Sequence, residues 1–372
     1  MGYASDVPLF DQHCHGLIQG KLDLESFAVL ATEGDWLPEP VAQVFDSPFG
    51  LAMRSVCAPL LGLDPNCSVD EYVAERLRRP FAEVAAPLLQ ASGTAEFGIE
   101  TGFPSSTIAS PQEMAEISGR TAHTIVRLEV IAETVAPTVP ASGFFDAFCA
   151  ALDRAMAAGA IGVKTIAAYR FGLDVPAAAP EPAALLSAVD DWYRLAEASG
   201  SFRVTDRTVI GALIWAAIDR KLAIQLHVGF GDTDVQLDTA DPSRLAPLFR
   251  ATADSGARFA LLHCYPFLRE AGILAHVFPH VYFDMSCVSH YAGPSAVKLV
   301  AETFEVAPFS RILYASDAYG IPEHYAVSAA LWRTGMNTLL DTWVADGFTT
   351  SADANRIAAA VGQHNAHTLY KL

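Results

Sequence analysis

From about Ser142 onward, short apolar runs alternate with amphipathic segments of helical length. That alternation limits the chain to folds in which strand–helix units repeat around a parallel sheet. The apolar runs at 161–167, 222–228, 259–263, 281–285 and 312–316 are expected strands, and 144–158, 209–220, 243–254, 296–304 and 327–340 are expected helices. Gly159, Gly229 and Gly256 punctuate the changes, as glycine does where helices stop. Upstream, residues 8–11 lead into His13 as a first strand, with 96–100 and 125–129 as the second and third. Eight strands with intervening helices predict an α/β fold, a (β/α)8 TIM barrel, whose chemistry gathers at the carboxyl ends of the strands. A single domain over residues 1–372 is expected, with 20–92 as a helical insertion after the first strand, near the barrel mouth. The patch 176–182, rich in Ala and Pro, reads as a loop.

Composition narrows the partners. A hydrophobic fraction of 52% with 18% charged residues fits a large buried core rather than disorder. The formal net charge of −18 would repel a phosphate backbone, and no Lys/Arg-rich run offsets it, so nucleic acid is not expected as a partner. No apolar run approaches the roughly 18–20 residues of a membrane helix, and the start of the chain lacks the basic and apolar pattern of a signal peptide. Six scattered cysteines without CxxC spacing argue against a disulfide framework and fit a reducing cytoplasm. A small-molecule substrate is expected, no membrane partner, and a homo-oligomer stays open.

The chemistry is concentrated at strand ends. In Asp11-Gln12-His13-Cys14-His15-Gly16 the two histidines stand two residues apart on a strand and share one face. Two imidazoles meeting this way suit Zn²⁺ or another borderline divalent metal. His227, His263 and Asp317 each stand at or just past the carboxyl end of a different expected strand. Any one of them alone reads as a core residue with a hydrogen bond; four histidines and an aspartate in the same register read as a metal site. Lys164 ends the fourth strand and points a cation at the same place. Burial of that amine asks for a lost proton, a modification or an anion beside it. Arg127 and Arg170 are candidates for a bidentate grip on a substrate carboxylate, or for pairing with neighbours such as Glu129. His123, His276, His280, His290, His324, His364 and His367 do not share the strand-end register and read as ordinary polar residues.

This constellation resembles the amidohydrolase superfamily, in particular the amidohydrolase-2 group found beside glutamine synthetase domains in FluG- and nodulin-like proteins. The likeness runs through Val126-Arg127-Leu128-Glu129, Lys164 with Tyr169-Arg170, His227 to Asp234, His263-Cys264-Tyr265-Pro266-Phe267, Ser316-Asp317-Ala318, Pro322-Glu323 and Leu369-Tyr370. It implies a divalent metal, Zn²⁺ foremost with Mn²⁺ or Fe²⁺ as alternatives, as one ion or two. The ligands would be drawn from His13, His15, Lys164, His227, His263 and Asp317, with Lys164 a carboxylated bridge in the two-ion case. It also implies a hydrolase acting on the C–N bond of a small, carboxylate-bearing amide such as a γ-glutamyl amide. Metal-activated water would attack, Asp317 would be the general base and His263 a second catalytic group, and Arg127, Glu129, Arg170 and Asp232 would bind substrate. Related barrels include decarboxylases of small aromatic or unsaturated acids and a sugar-acid isomerase, and a catalytically inactive binding protein is the third reading. The sequence stops at Leu372 without a glutamine synthetase domain, so a function that needs that fusion is not carried over.

Overall fold

Seven strands form one parallel sheet in sequential order: β1 Leu9–Cys14, β2 Thr94–Glu100, β3 Thr121–Arg127, β4 Ala160–Thr165, β5 Ala223–His227, β6 Arg258–Leu262 and β7 Val281–Phe283. The computed structural model describes residues 2–104 and 106–372. The sheet curls, consistent with a TIM-like barrel, because each parallel pair is joined by a crossover that packs helices on the outer face. The expected eighth strand at 312–316 is not a regular strand. It makes an isolated bridge from Ile312 to Phe283, and its neighbourhood bonds both sheet edges: Leu313 N to Phe283 O at 2.9 Å, Gln12 N to Tyr314 O at 3.2 Å and Asp317 N to His13 O at 3.0 Å. Side-chain acceptors interrupt the ladder there, since Ser316 N donates to Asp11 Oδ1 at 2.8 Å.

Alternation sorts the side chains. Ile224, Leu226, Phe259, Leu261, Val281 and Phe283 join the large core under the outer helices, while Phe10, Ile125, Ala260, Leu262, Tyr282 and Leu313 pack on the inner face. The helix Asn365–Tyr370 closes the inner floor with Leu369 and Tyr370. Along β1 the pairing with β2 shifts between Asp11 and Cys14, an irregularity that re-aims side chains just where the two histidines stand.

Several expected boundaries move. The third strand is Thr121–Arg127 rather than 125–129, so Glu129 sits in the first turn of the helix Leu128–Val135. Its start carries Thr121, His123 and Thr124, polar residues that hide a strand from an apolar-run criterion. The expected helix 243–254 splits into a 3-10 turn, Pro242–Leu245, and a short helix, Ala246–Ala251, with Pro247 unable to donate into a preceding turn. The expected helix 327–340 extends to Pro322–Ala345. Its first two turns are buried on every side, so they show no amphipathic stripe.

Between β1 and β2 lie the helices Leu24–Leu30, Pro48–Leu60, Val69–Arg78 and Phe81–Ser92. They share an apolar cluster with Ile321, Ala326 and Val327 of the segment that follows Asp317. A buried ion pair pins them: Arg76 Nε donates to Glu323 Oε1 at 2.7 Å, and Tyr72 Oη donates to the same oxygen at 2.9 Å. All six cysteines are free. Among the described residues no helix is long and apolar enough to cross a membrane.

Candidate metal centre

A cavity of about 660 Å³ is lined by His13, His15, Lys164, His227, His263 and Asp317, the residues expected from their strand-end register. Donor atoms of His13, His263 and Asp317 lie within 4.8 Å of one another. His13 Nε2 is 3.1 Å from Asp317 Oδ1, and His15 Nε2 is 3.4 Å from the same oxygen.

The hydrogen-bond network sets the tautomers of these rings. Gln225 Nε2 donates to the main-chain oxygen of Gln12 at 2.8 Å, an obligatory acceptor, and faces Tyr370 Oη at 2.8 Å. Gln225 Oε1 is therefore the atom that meets His13 Nδ1 at 2.8 Å, and Nδ1 must carry the hydrogen. His15 Nδ1 faces the Glu100 carbonyl at 3.3 Å and Glu100 Oε2 at 3.5 Å, both acceptors, so it too is the protonated nitrogen. Both Nε2 lone pairs then point at one carboxylate oxygen. Burial pushes the His13 pKa down to about 4, with Lys164 adding to the effect, so an extra proton does not bridge the gap at neutral pH. Lone pairs and an anionic oxygen converging without a hydrogen between them are the donor set a divalent cation requires. The residues present fit the metal.

His263 plays a different part. Ser286 Oγ donates to Asp284 Oδ1 at 2.6 Å, so it accepts from His263 Nδ1 at 2.8 Å. The same Nδ1 lies 3.2 Å from Asp317 Oδ2. His263 Nε2 faces Lys164 Nζ at 3.4 Å. The ring thus orients the second oxygen of Asp317 and takes a donor from the lysine. Burial would raise the Asp317 carboxyl, but the charge interaction with His263 and the nearness of His13 and His15 hold it well below the usual range. Burial lowers Lys164 to about 8, against the pull of Asp317 and Glu100.

His227 is buried beside this group, its ring 4.5 Å from that of His263 and 4.4 Å from that of Tyr169. Its Nε2 has no hydrogen-bond partner and lies against Gly231, where a Cβ would come within 3.0 Å.

The backbone is bent to deliver these groups. His263 and Asp317 have φ of 58° and 56°, the left-handed region that costs a non-glycine residue about 1–2 kcal/mol. Hydrogen bonds hold both: His263 N to Asp284 Oδ1 at 3.1 Å and Asp317 N to His13 O at 3.0 Å.

The expected substrate contacts separate. Arg127 is committed to Glu100, with Nε to Oε1 at 3.0 Å and Nη2 to Oε2 at 2.6 Å, rather than to Glu129. Arg170 gives Nη2 to Glu133, at 3.2 Å, and among the described residues its buried Nε and Nη1 have no partner. Both arginines and Asp232 line the cavity. Glu129 is not among the lining residues. It is fully buried and accepts from Thr165 Oγ1 at 2.5 Å and Ile166 N at 3.0 Å, which fastens the helix after β3 to the end of β4. Two further lining residues carried no strand-end signal, Glu33 and His324. Glu33 comes from the segment between β1 and β2, and burial with Asp317 nearby raises its carboxyl to about 7.

A curled parallel sheet that gathers imidazoles and a carboxylate at its strand ends defines an α/β protein with a metal-type centre. The chain belongs to the amidohydrolase family, whose model matches residues 124–372; His13 and His15 lie outside that stretch. It is 30% identical over 238 residues to protein fluG of Emericella nidulans, covering 60% of this chain. The match spans 27% of that longer protein. A crystal structure from Lactobacillus casei, of a protein whose assignment as a metal-dependent hydrolase is itself provisional, superposes with a TM-score of 0.86 at 29% identity. It covers 99% of this chain and 96% of that one. A uronate isomerase of Bacillus halodurans shares the fold at 14% identity and a TM-score of 0.65, over 99% of this chain and 94% of its own.

Proposed function

We propose that the chain is a metal-dependent hydrolase cleaving the C–N bond of a small, carboxylate-bearing amide such as a γ-glutamyl amide. The observation that carries this reading is the convergence of two imidazole lone pairs on Asp317 Oδ1 in a cavity that also holds the unpartnered guanidinium edge of Arg170. The family and the likeness to the Lactobacillus casei protein support it.

His13, His15 and Asp317 would hold the cation, with Zn²⁺ the best match to this donor set and Mn²⁺ or Fe²⁺ alternatives. When bound, it supplies Lewis acidity towards the scissile carbonyl and lowers the pKa of water. Asp317 accepts the proton of the attacking water, held in line by His263 Nδ1 on its far oxygen. Lys164, steadied by His263 Nε2, is the donor towards the carbonyl oxygen, and Arg170 receives the substrate carboxylate. Residues 1–372 act as one barrel unit in this reading. Residues 20–92 form its helical cap, a role supported by their packing on Ile321, Ala326 and Val327.

The test is a metal-loaded sample incubated with γ-glutamyl amides and, separately, with hydroxybenzoates. Amine release from the first is the expected result. CO₂ from the second with no amine from the first would replace the hydrolase by a decarboxylase.

A further inference from the structure

Few polar atoms in a folded protein are buried without a hydrogen bond, because each one costs about 1–3 kcal/mol. Among the described residues, more than half of such side-chain atoms belong to three residues of a single cavity: Arg170, His227 and His324. The position of His227 beside the metal-type centre accounts for one of them. The other two residues lie on different walls, Arg170 after β4 and His324 in the first turn of the helix Pro322–Ala345.

His324 is 1% exposed, and among the described residues neither ring nitrogen has a partner at full hydrogen-bonding distance and angle. The Tyr319 main chain is a looser neighbour that pulls its pKa up against burial. Its neighbours hold the ring without satisfying it. His290 stacks on it at 4.2 Å, Phe49 lies at 5.0 Å and Tyr291 at 5.6 Å. A core histidine ordinarily finds a partner, as His290 does through Nδ1 and Ser328 Oγ at 3.0 Å. Burial pushes the His324 pKa down to about 4. At neutral pH the ring therefore carries one N–H donor and one lone pair. A neutral imidazole that offers both matches an uncharged amide or hydroxyl better than a second carboxylate.

We propose that His324 is a ligand-contacting, specificity-determining residue. With Arg170 it selects a small molecule bearing a carboxylate at one end and an uncharged hydrogen-bonding group, amide or hydroxyl, at the other. This rests on the cavity being the substrate site, but not on which reaction occurs there.

Glutaramate and 5-methylhexanoate test the inference, since they share a carboxylate and chain length and differ in a terminal amide against an isosteric isopropyl group. Equilibrium dialysis against the metal-loaded protein, with ligands quantified by mass spectrometry, reads both affinities and any conversion. The wild type is expected to favour glutaramate by about 10-fold or more. His324→Phe should erase that preference and His324→Gln should keep part of it. Arg170→Met should weaken both ligands by the same factor. Metal content and melting temperature are measured for every variant. A folded, metal-replete His324→Phe protein that keeps the wild-type preference overturns the proposal, as does a wild type that binds neither ligand or binds both equally. Binding in the expected pattern with no amide ever cleaved removes the hydrolase reading and leaves the role of His324 intact.

Discussion

Gln225 Oε1 meets His13 Nδ1 at 2.8 Å across the inside of the sheet, although the two residues are 212 positions apart. That contact commits the hydrogen of His13 to the side away from Asp317, and it turns the Nε2 lone pair towards the site. Tyr370, next to the floor of the sheet, braces the same amide at 2.8 Å and Gln12 Oε1 at 2.7 Å. The polar layer beneath the centre thus reaches both ends of the chain.

Gln225→Leu is expected to lower metal affinity by about 10–100-fold, the usual cost of losing the group that orients a ligating histidine. Gln225→Glu, which keeps an acceptor for Nδ1, should retain affinity better. Competition against a chromogenic chelator measures both. Equal affinities in the leucine variant and the wild type would detach Gln225 from the centre.

Asp317→Asn keeps the shape of the side chain but cannot take a proton from water. Turnover should fall about 10²–10⁴-fold, with metal content falling much less. Steady-state rates on a γ-glutamyl amide, paired with elemental analysis, decide this. Near-normal turnover in a fully loaded variant would pass the role of base to another group, His263 first.

The two arginines should respond differently. Arg170→Met should raise KM for acidic substrates far more than for neutral ones, since its free edge is what the cavity offers an anion. Arg127→Met instead leaves Glu100, which is fully buried, without its bidentate partner. A stability loss of about 3–5 kcal/mol follows, readable by urea unfolding. A KM effect confined to Arg127 would reverse the assignment.

His324 also makes a prediction about acid. Its folded pKa lies near 4, below the ordinary 6.5, so between those values the unfolded chain binds the extra proton and the folded one does not. Stability therefore falls as pH drops from about 6.5 towards 4. In the metal-free protein the wild type should lose up to about 1.4 kcal/mol per pH unit more than His324→Phe across that window, the value for one proton. Burial raises Asp11 to about 7 and Asp284 to about 6, and these carboxyls act in the opposite sense in both proteins, so the comparison isolates the histidine. Parallel pH profiles would show that His324 titrates normally.

The boundary between sequence and structure runs through this site. His13, His15, Lys164, His227, His263 and Asp317 were legible because a strand has a period of two and a parallel sheet brings its carboxyl ends to one side. Position along the chain then translates directly into position in space. Six of the eight expected strands could be placed for the same reason; the third was displaced by polar residues at its start, and the eighth lost its regularity to side-chain bonds from Asp11. Local pattern could not show that Arg127 belongs to Glu100, that Glu129 faces inward to the end of β4, or that Gln225 and Tyr370 support His13. Nor could it show that His324, ordinary by its register, lines the cavity. Each of these depends on a contact between residues distant in sequence. Such contacts have no period and no spacing; they exist only once the sheet has curled and the helices of 20–92 and 322–345 have packed against it.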